Sequence, residues 1–104
     1  MSKYIMITST FDNMDELEKV SRILLEKRLV SCTQVSTIKS TYYWKRKLVT
    51  SDEYLLMMKT KKVLYSEVEK VILENHSYEV PQIVAYDICM GYSKYLKWID
   101  EETK

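Results

Sequence analysis

The only histidine and the only proline of the chain fall in one stretch, His76-Ser77-Tyr78-Glu79-Val80-Pro81-Gln82-Ile83. His76, Tyr78 and Glu79 put an imidazole, a phenol and a carboxylate within four positions, types that bind a metal ion or a small polar ligand. Pro81 fixes its own φ and presses Val80 toward extended geometry, so the stretch reads as a defined joint that holds side chains still. The plainer reading of the same residues is that His76 ends a helix and Tyr78 packs. A second, interleaved set comprises Tyr42, Trp44, Lys59, Tyr78, Glu79, Tyr95 and Trp98. A lysine and a carboxylate among aromatic rings would line a cleft for a small anion or zwitterion. The competing use is packing at a core or interface, which suits Tyr and Trp because one end of the ring can stay wet, and which is favoured for Tyr95 and Trp98.

The remaining totals narrow the chemistry. With 104 residues the chain is read as one domain, residues 1–104, with a modest core and much exposed surface that self-association would cover. Sixteen basic and fifteen acidic side chains leave a net charge of +1, so no strong field draws nucleic acid or an anionic membrane. A single glycine excludes Gly-rich phosphate loops. Cys32 and Cys89 are far apart in sequence, without a C-x-x-C pair, which argues against structural zinc and thioredoxin-type chemistry; each is expected to be a buried free thiol. The opening residues move directly into a strand pattern without an apolar h-region, and no apolar run approaches membrane-spanning length, so a soluble, cytoplasmic chain is expected.

Hydrophobic periodicity supplies the elements that must position these groups. Tyr4 to Thr8 is a short apolar and β-branched run expected to be a central strand buried on both faces. Asp12 and Asn13 are ready N-caps, and Leu17, Val20, Ile23 and Leu24 recur at helical spacing, predicting a helix from about Met14 to Arg28. Val30 to Trp44 is a strand of unusual length, followed by a turn region at Lys45-Arg46-Lys47 and Thr50-Ser51-Asp52 and a returning strand from Glu53 to Thr60. A second helix starts at Ser66 and Glu67 and ends near Asn75, a fourth strand spans Ile83 to Cys89, and Ser93 is expected to cap a last helix. Strand, helix, strand, strand, helix, strand is the α+β order of a ferredoxin-like sandwich, four antiparallel strands with two helices on one face, here with an extra C-terminal helix. The middle hairpin is too long for those helices to cover, and its exposed Tyr42, Tyr43 and Trp44 call for a partner.

That fold hosts unrelated functions, so the site must decide between them. The long strands lack the Gly-rich aromatic pattern of an RNA-recognition module. Thr8-Ser9-Thr10 stands where a copper chaperone of this shape carries its C-x-x-C loop, and hydroxyls ligate soft Cu(I) poorly. Nucleophilic catalysis would need His76 to serve Cys32 or Cys89, with no local signature linking them.

Tyr42-Tyr43-Trp44, Lys59-Thr60, the stretch from His76 to Ile83, and Gly91 followed by Tyr95 and Trp98 occur in an order that resembles the CutA family of divalent-cation tolerance proteins, and the resemblance covers almost the whole chain. It implies a ferredoxin-like protomer in a tight homotrimer, with long hairpins extending the sheets between subunits, broadly like the PII signalling proteins. It implies a non-enzymatic binding or regulatory protein associated with tolerance of, or response to, divalent metal ions, with copper binding in some members. The alternative is a trimeric interaction scaffold, or a PII-like small-ligand sensor without metal chemistry. Of the family's copper ligands, the strand-one cysteine is Ser9 here and the histidine pair is Asn75-His76, which leaves His76 as the candidate ligand for copper or another divalent cation. The usual Trp-x-Gly turn reads Trp44-Lys45-Arg46. Tyr42, Trp44, Lys59, Tyr78 and Glu79 match family motifs and are expected to converge at a pocket between protomers that accepts a small ligand or another protein's chain.

Overall fold

The computed structural model describes residues 2–104. Strand β1 (Tyr4–Phe11) leads to helix α1 (Met14–Glu26), then to the hairpin β2 (Cys32–Trp44) and β3 (Lys47–Lys61). A 3-10 turn at Lys62–Leu64 opens helix α2 (Tyr65–Asn75), and β4 (Ile83–Asp87) and α3 (Ser93–Glu102) complete the chain. The sheet order is β2-β3-β1-β4, with every neighbouring pair antiparallel. This is the expected α+β arrangement, with β1 in the interior of the sheet.

Helix α1 forms where the capping chemistry says it should. The Asn13 side chain accepts the Glu16 backbone N–H at 3.0 Å, and Asp15 and Glu16 place negative charge on the positive end of the helix. The far end closes with Arg28 at φ 57, its N–H bonded to Leu25 and that of Leu29 to Leu24, so a left-handed residue satisfies the last carbonyls. Leu17, Val20 and Leu24 then meet Val68, Val71 and Ile72 of α2 and the sheet residues Ile5, Ile7, Phe11, Leu56 and Met58 in one core.

Strand register places the alternate residues on the opposite face: Tyr4, Met6, Thr8 and Thr10 of β1, Glu53 to Lys59 at every second position of β3, and Val84 and Tyr86 of β4. Helix α3 covers one end of that face. There Lys3 pairs with Asp100 at 2.9 Å, and the Tyr4 hydroxyl also donates to Asp100. The segment after α2 covers the other end, and between them Val84 and Tyr86 remain exposed.

The structure revises several local expectations. Strand β1 runs on to Phe11, three residues past Thr8, which carries Thr10 to the site described below. Thr50, Ser51 and Asp52 are strand, not turn, facing Thr41, Ser40 and Lys39 across the hairpin. The turn is only Lys45-Arg46, both at positive φ (51 and 68), the geometry that a two-residue hairpin loop requires. Ser93 is the first helical residue, and Tyr92 occupies the cap position without a side-chain bond. Strand β4 ends at Asp87, so Cys89 lies beyond it and is exposed, not buried; Cys32 is half-buried, and both are free thiols.

Because β1 pairs with β3 only from Tyr54 onward, the hairpin overhangs the sheet and gives the molecule extents of 45 × 26 × 21 Å.

Candidate functional site, an aromatic and acidic cavity

The joint is assembled around His76, whose imidazole is wholly buried and stacked on Phe11 with ring centroids 4.2 Å apart. The Tyr78 backbone N–H donates to Nδ1 at 3.2 Å, so Nδ1 must carry a lone pair; Nε2 therefore holds the proton and donates it to the Thr10 carbonyl at 2.7 Å. Ser77 Oγ donates to Glu16 Oε2 at 3.0 Å, tying the joint to α1 as well. The chain thus crosses the end of β1 from the helical face to the other face in a fixed conformation, and Pro81 keeps the exit extended.

On that second face the Tyr78 hydroxyl donates to Glu53 Oε2 at 2.5 Å. Glu53 is 6 % exposed, and among the described residues this is the only hydrogen bond its carboxylate receives. Burial, and next the bond to Glu53, hold the Tyr78 phenol well above its ordinary value of 10. Around this pair lies a cavity of ≈ 410 Å³, within the size range of small-molecule sites. Tyr42 and Trp44 from the hairpin overhang form one wall, and Glu79, Val80 and Gln82 from the joint form the other, with Thr10 at the base. At the rim, Lys45 Nζ stands 5.6 Å from the Trp44 ring centroid and 4.0 Å from Glu79 Oε2.

Of the five residues expected at a pocket between protomers, Tyr42, Trp44, Tyr78 and Glu79 line this cavity of the single chain. Lys59 does not join them. It shares a sheet face with Glu53 but stands six residues farther along β3, about 20 Å away. There its Nζ donates to Gln34 at 2.8 Å and lies 5.8 Å above the Tyr95 ring. Tyr95 and Trp98 stack on each other at that same end, with centroids 5.7 Å apart, consistent with packing. Within one chain the cavity lining holds the carboxylates of Glu53 and Glu79 and no basic side chain, a character suited to a cation. Glu53, Thr10 and Gln82 were not singled out as site residues in the sequence; the available signal was an acid, next to Asp52, leading directly into the apolar run Tyr54 to Met58.

The expected metal ligand is placed differently from the cavity wall. The Nδ1 lone pair of His76 is already engaged and Nε2 carries a proton, so ligation would break a buried hydrogen bond. Ser9, at the position of the family cysteine, is fully buried, and Asn75 donates to the Val71 carbonyl at 2.8 Å. Among the described residues no three His, Cys, Asp or Glu side chains are grouped to hold a metal ion. The described residues around His76 do not fit a copper centre, which requires several N or S donors.

Comparison with known proteins places this architecture. The family model described as CutA1 divalent ion tolerance protein matches residues 5–102. The divalent-cation tolerance protein CutA of Pyrococcus horikoshii is 35% identical over 96% of this chain and 98% of its own, and the CutA of Archaeoglobus fulgidus is 35% identical over 97% of each. The solved structure of the Archaeoglobus fulgidus protein, called periplasmic, superposes with a TM-score of 0.94 at 33% identity over 97% of this chain and 99% of that one. The CutA1 structure from Oryza sativa gives 0.93 at 29% identity, over 99% of this chain and 95% of its own. With a whole-length family match and relatives of this similarity on an almost superposable fold, the chain belongs to the CutA1 divalent ion tolerance protein family.

Proposed function

We propose that this protein is a non-catalytic, homotrimeric binding protein of divalent-cation tolerance that works as a small-ligand sensor through the aromatic and acidic cavity, without a metal ion held at His76. The observation that carries this reading is the convergence of Tyr42, Trp44, Glu53, Tyr78 and Glu79 on one cavity of ≈ 410 Å³. Side chains of this kind on two separately folded segments, a hairpin overhang and a proline-fixed joint, are costly to assemble for packing alone, since Glu53 is buried with a single neutral donor. The cavity wall offers carboxylates and phenols, and in its one hydroxyl–carboxylate pair burial and Glu53 hold the Tyr78 phenol protonated, well above its ordinary value, which favours binding over catalysis.

Self-association is supported by what the fold leaves open. Val84 and Tyr86 are exposed on the sheet face between α3 and the joint, β2 and β4 are free edges, and Tyr43 and Leu48 stand exposed on the overhang. A trimer in which the overhang of one protomer continues the sheet of the next would cover these surfaces. The two free cysteines, one of them exposed, favour a reducing compartment, and we assign the protein to the cytoplasm on that ground.

The reading is tested by a thermal-shift screen of small polar molecules against the native protein and Trp44→Ala, alongside Cu(II) and Zn(II) calorimetry of native protein and His76→Ala. Ligands that stabilise the native protein and fail to stabilise Trp44→Ala support it. Stoichiometric metal binding abolished in His76→Ala refutes it.

A further inference from the structure

We infer that the ligand of this cavity is a small organic cation with an ammonium head, and that Lys45 is a tethered competitor which such a ligand displaces. The inference rests on the reading of the cavity as a ligand site and adds its charge and chemical class.

Three observations carry it. Glu53 is a carboxylate only 6 % exposed that lines the cavity, receives one bond from a neutral phenol, and has no cationic partner among the described residues. A buried carboxylate so placed is incompletely compensated, and a cation entering the cavity would complete it. Next, three aromatic side chains, Tyr42, Trp44 and Tyr78, line the cavity together with the carboxylates of Glu53 and Glu79, the combination of residue types that attracts an ammonium group. Finally, the protein already offers a cation to part of this box. Lys45 Nζ lies 5.6 Å from the Trp44 centroid, inside the range of a cation–π contact, and 4.0 Å from Glu79.

That rim contact is weak by construction. The Lys45 and Glu79 side chains are 73% and 69% exposed, so water competes for both, and no ion pair joins Lys45 to Glu53. A diffusible ammonium can therefore take the inner carboxylate and the rings together, which the tethered one does not. The cavity volume leaves room for an alkyl body behind the charge.

The test reads Trp44 emission in a Trp98→Phe background, since Trp98 stacks on Tyr95 at the other end of the sheet face. The probes are n-butylammonium and tetramethylammonium, with n-butanol as the neutral analogue and sodium chloride matching ionic strength. Saturable change with either ammonium and none with n-butanol is expected. Lys45→Ala should tighten binding several-fold, and Glu53→Gln should weaken it about tenfold, the size of a lost charge-assisted bond. Glu79→Gln, at an exposed position whose change leaves the fold intact, should weaken it by a smaller factor and covers the case in which Glu53→Gln fails to fold. Equal response to n-butanol overturns the charge assignment while leaving the cavity a ligand site. No response to any probe in native protein or Lys45→Ala overturns both, and is the result expected if a basic side chain of a second copy occupies the box. Weaker binding in Lys45→Ala overturns the role given to Lys45.

Discussion

Tyr78 and Glu53, twenty-five residues apart in sequence, meet in a 2.5 Å hydrogen bond that fastens the joint after α2 to the second face of β3. This contact closes the inner wall of the cavity and supplies the only donor that the buried carboxylate has among the described residues. Tyr78→Phe should therefore cost about 1–3 kcal/mol, the penalty for stranding a buried acceptor, measured by urea denaturation at fixed protein concentration. An unchanged midpoint would mean that water replaces the phenol.

The same contact makes stability sensitive to alkali. The Tyr78 phenol is raised above its ordinary value of 10 by burial and by Glu53, so the folded state keeps a proton that the unfolded chain has released. Its contribution is complete below pH 10 and is lost as pH climbs toward the folded value. Between pH 10 and the folded value, stability should fall with a slope approaching about 1.4 kcal/mol per pH unit from this group alone. Tyr78→Phe should show a shallower alkaline decline in parallel melts.

His76 acts as a strut by virtue of its two backbone bonds and its stack on Phe11. His76→Ala should lose about 3 kcal/mol, combining a core cavity with a stranded Thr10 carbonyl. Its calorimetric heats with Cu(II) and Zn(II) should match those of native protein once both are folded.

The hairpin turn is built from two residues that pay a left-handed penalty. Arg46 sits at φ 68 in the second loop position, where glycine has no Cβ to clash. Arg46→Gly should stabilise the protein by about 1 kcal/mol, seen as a raised urea midpoint. A loss would show that the arginine side chain contributes contacts in the assembled protein.

Much of this architecture was legible in the sequence, because its signals are local. Asn13 before an acidic turn and Leu17, Val20 and Leu24 at helical spacing mark α1 within two residues at its end. The turn was placed at Lys45-Arg46 but drawn too wide: neither residue is a usual match to a positive-φ loop, so the polar run Thr50 to Asp52 was read as part of it. Lys59 shows the limit of periodicity: a period of two assigns it to the same face as Glu53 but says nothing about which end of the strand the joint will cover. His76 shows another. Its chemistry suggested a ligand, whereas the use of its nitrogens depends on a carbonyl at Thr10, sixty-six residues earlier.

The cavity lined by Tyr42, Trp44, Glu53, Tyr78 and Glu79 is expected to hold a small molecule. The most direct measurement is a crystal structure of the native protein soaked with the strongest stabiliser from the thermal-shift screen. Ligand density is expected between the Trp44 ring and the Glu53 carboxylate, with His76 still bonded to Thr10 and the Tyr78 N–H. Density at any other place with this cavity empty, or a metal ion bound to His76, would contradict it.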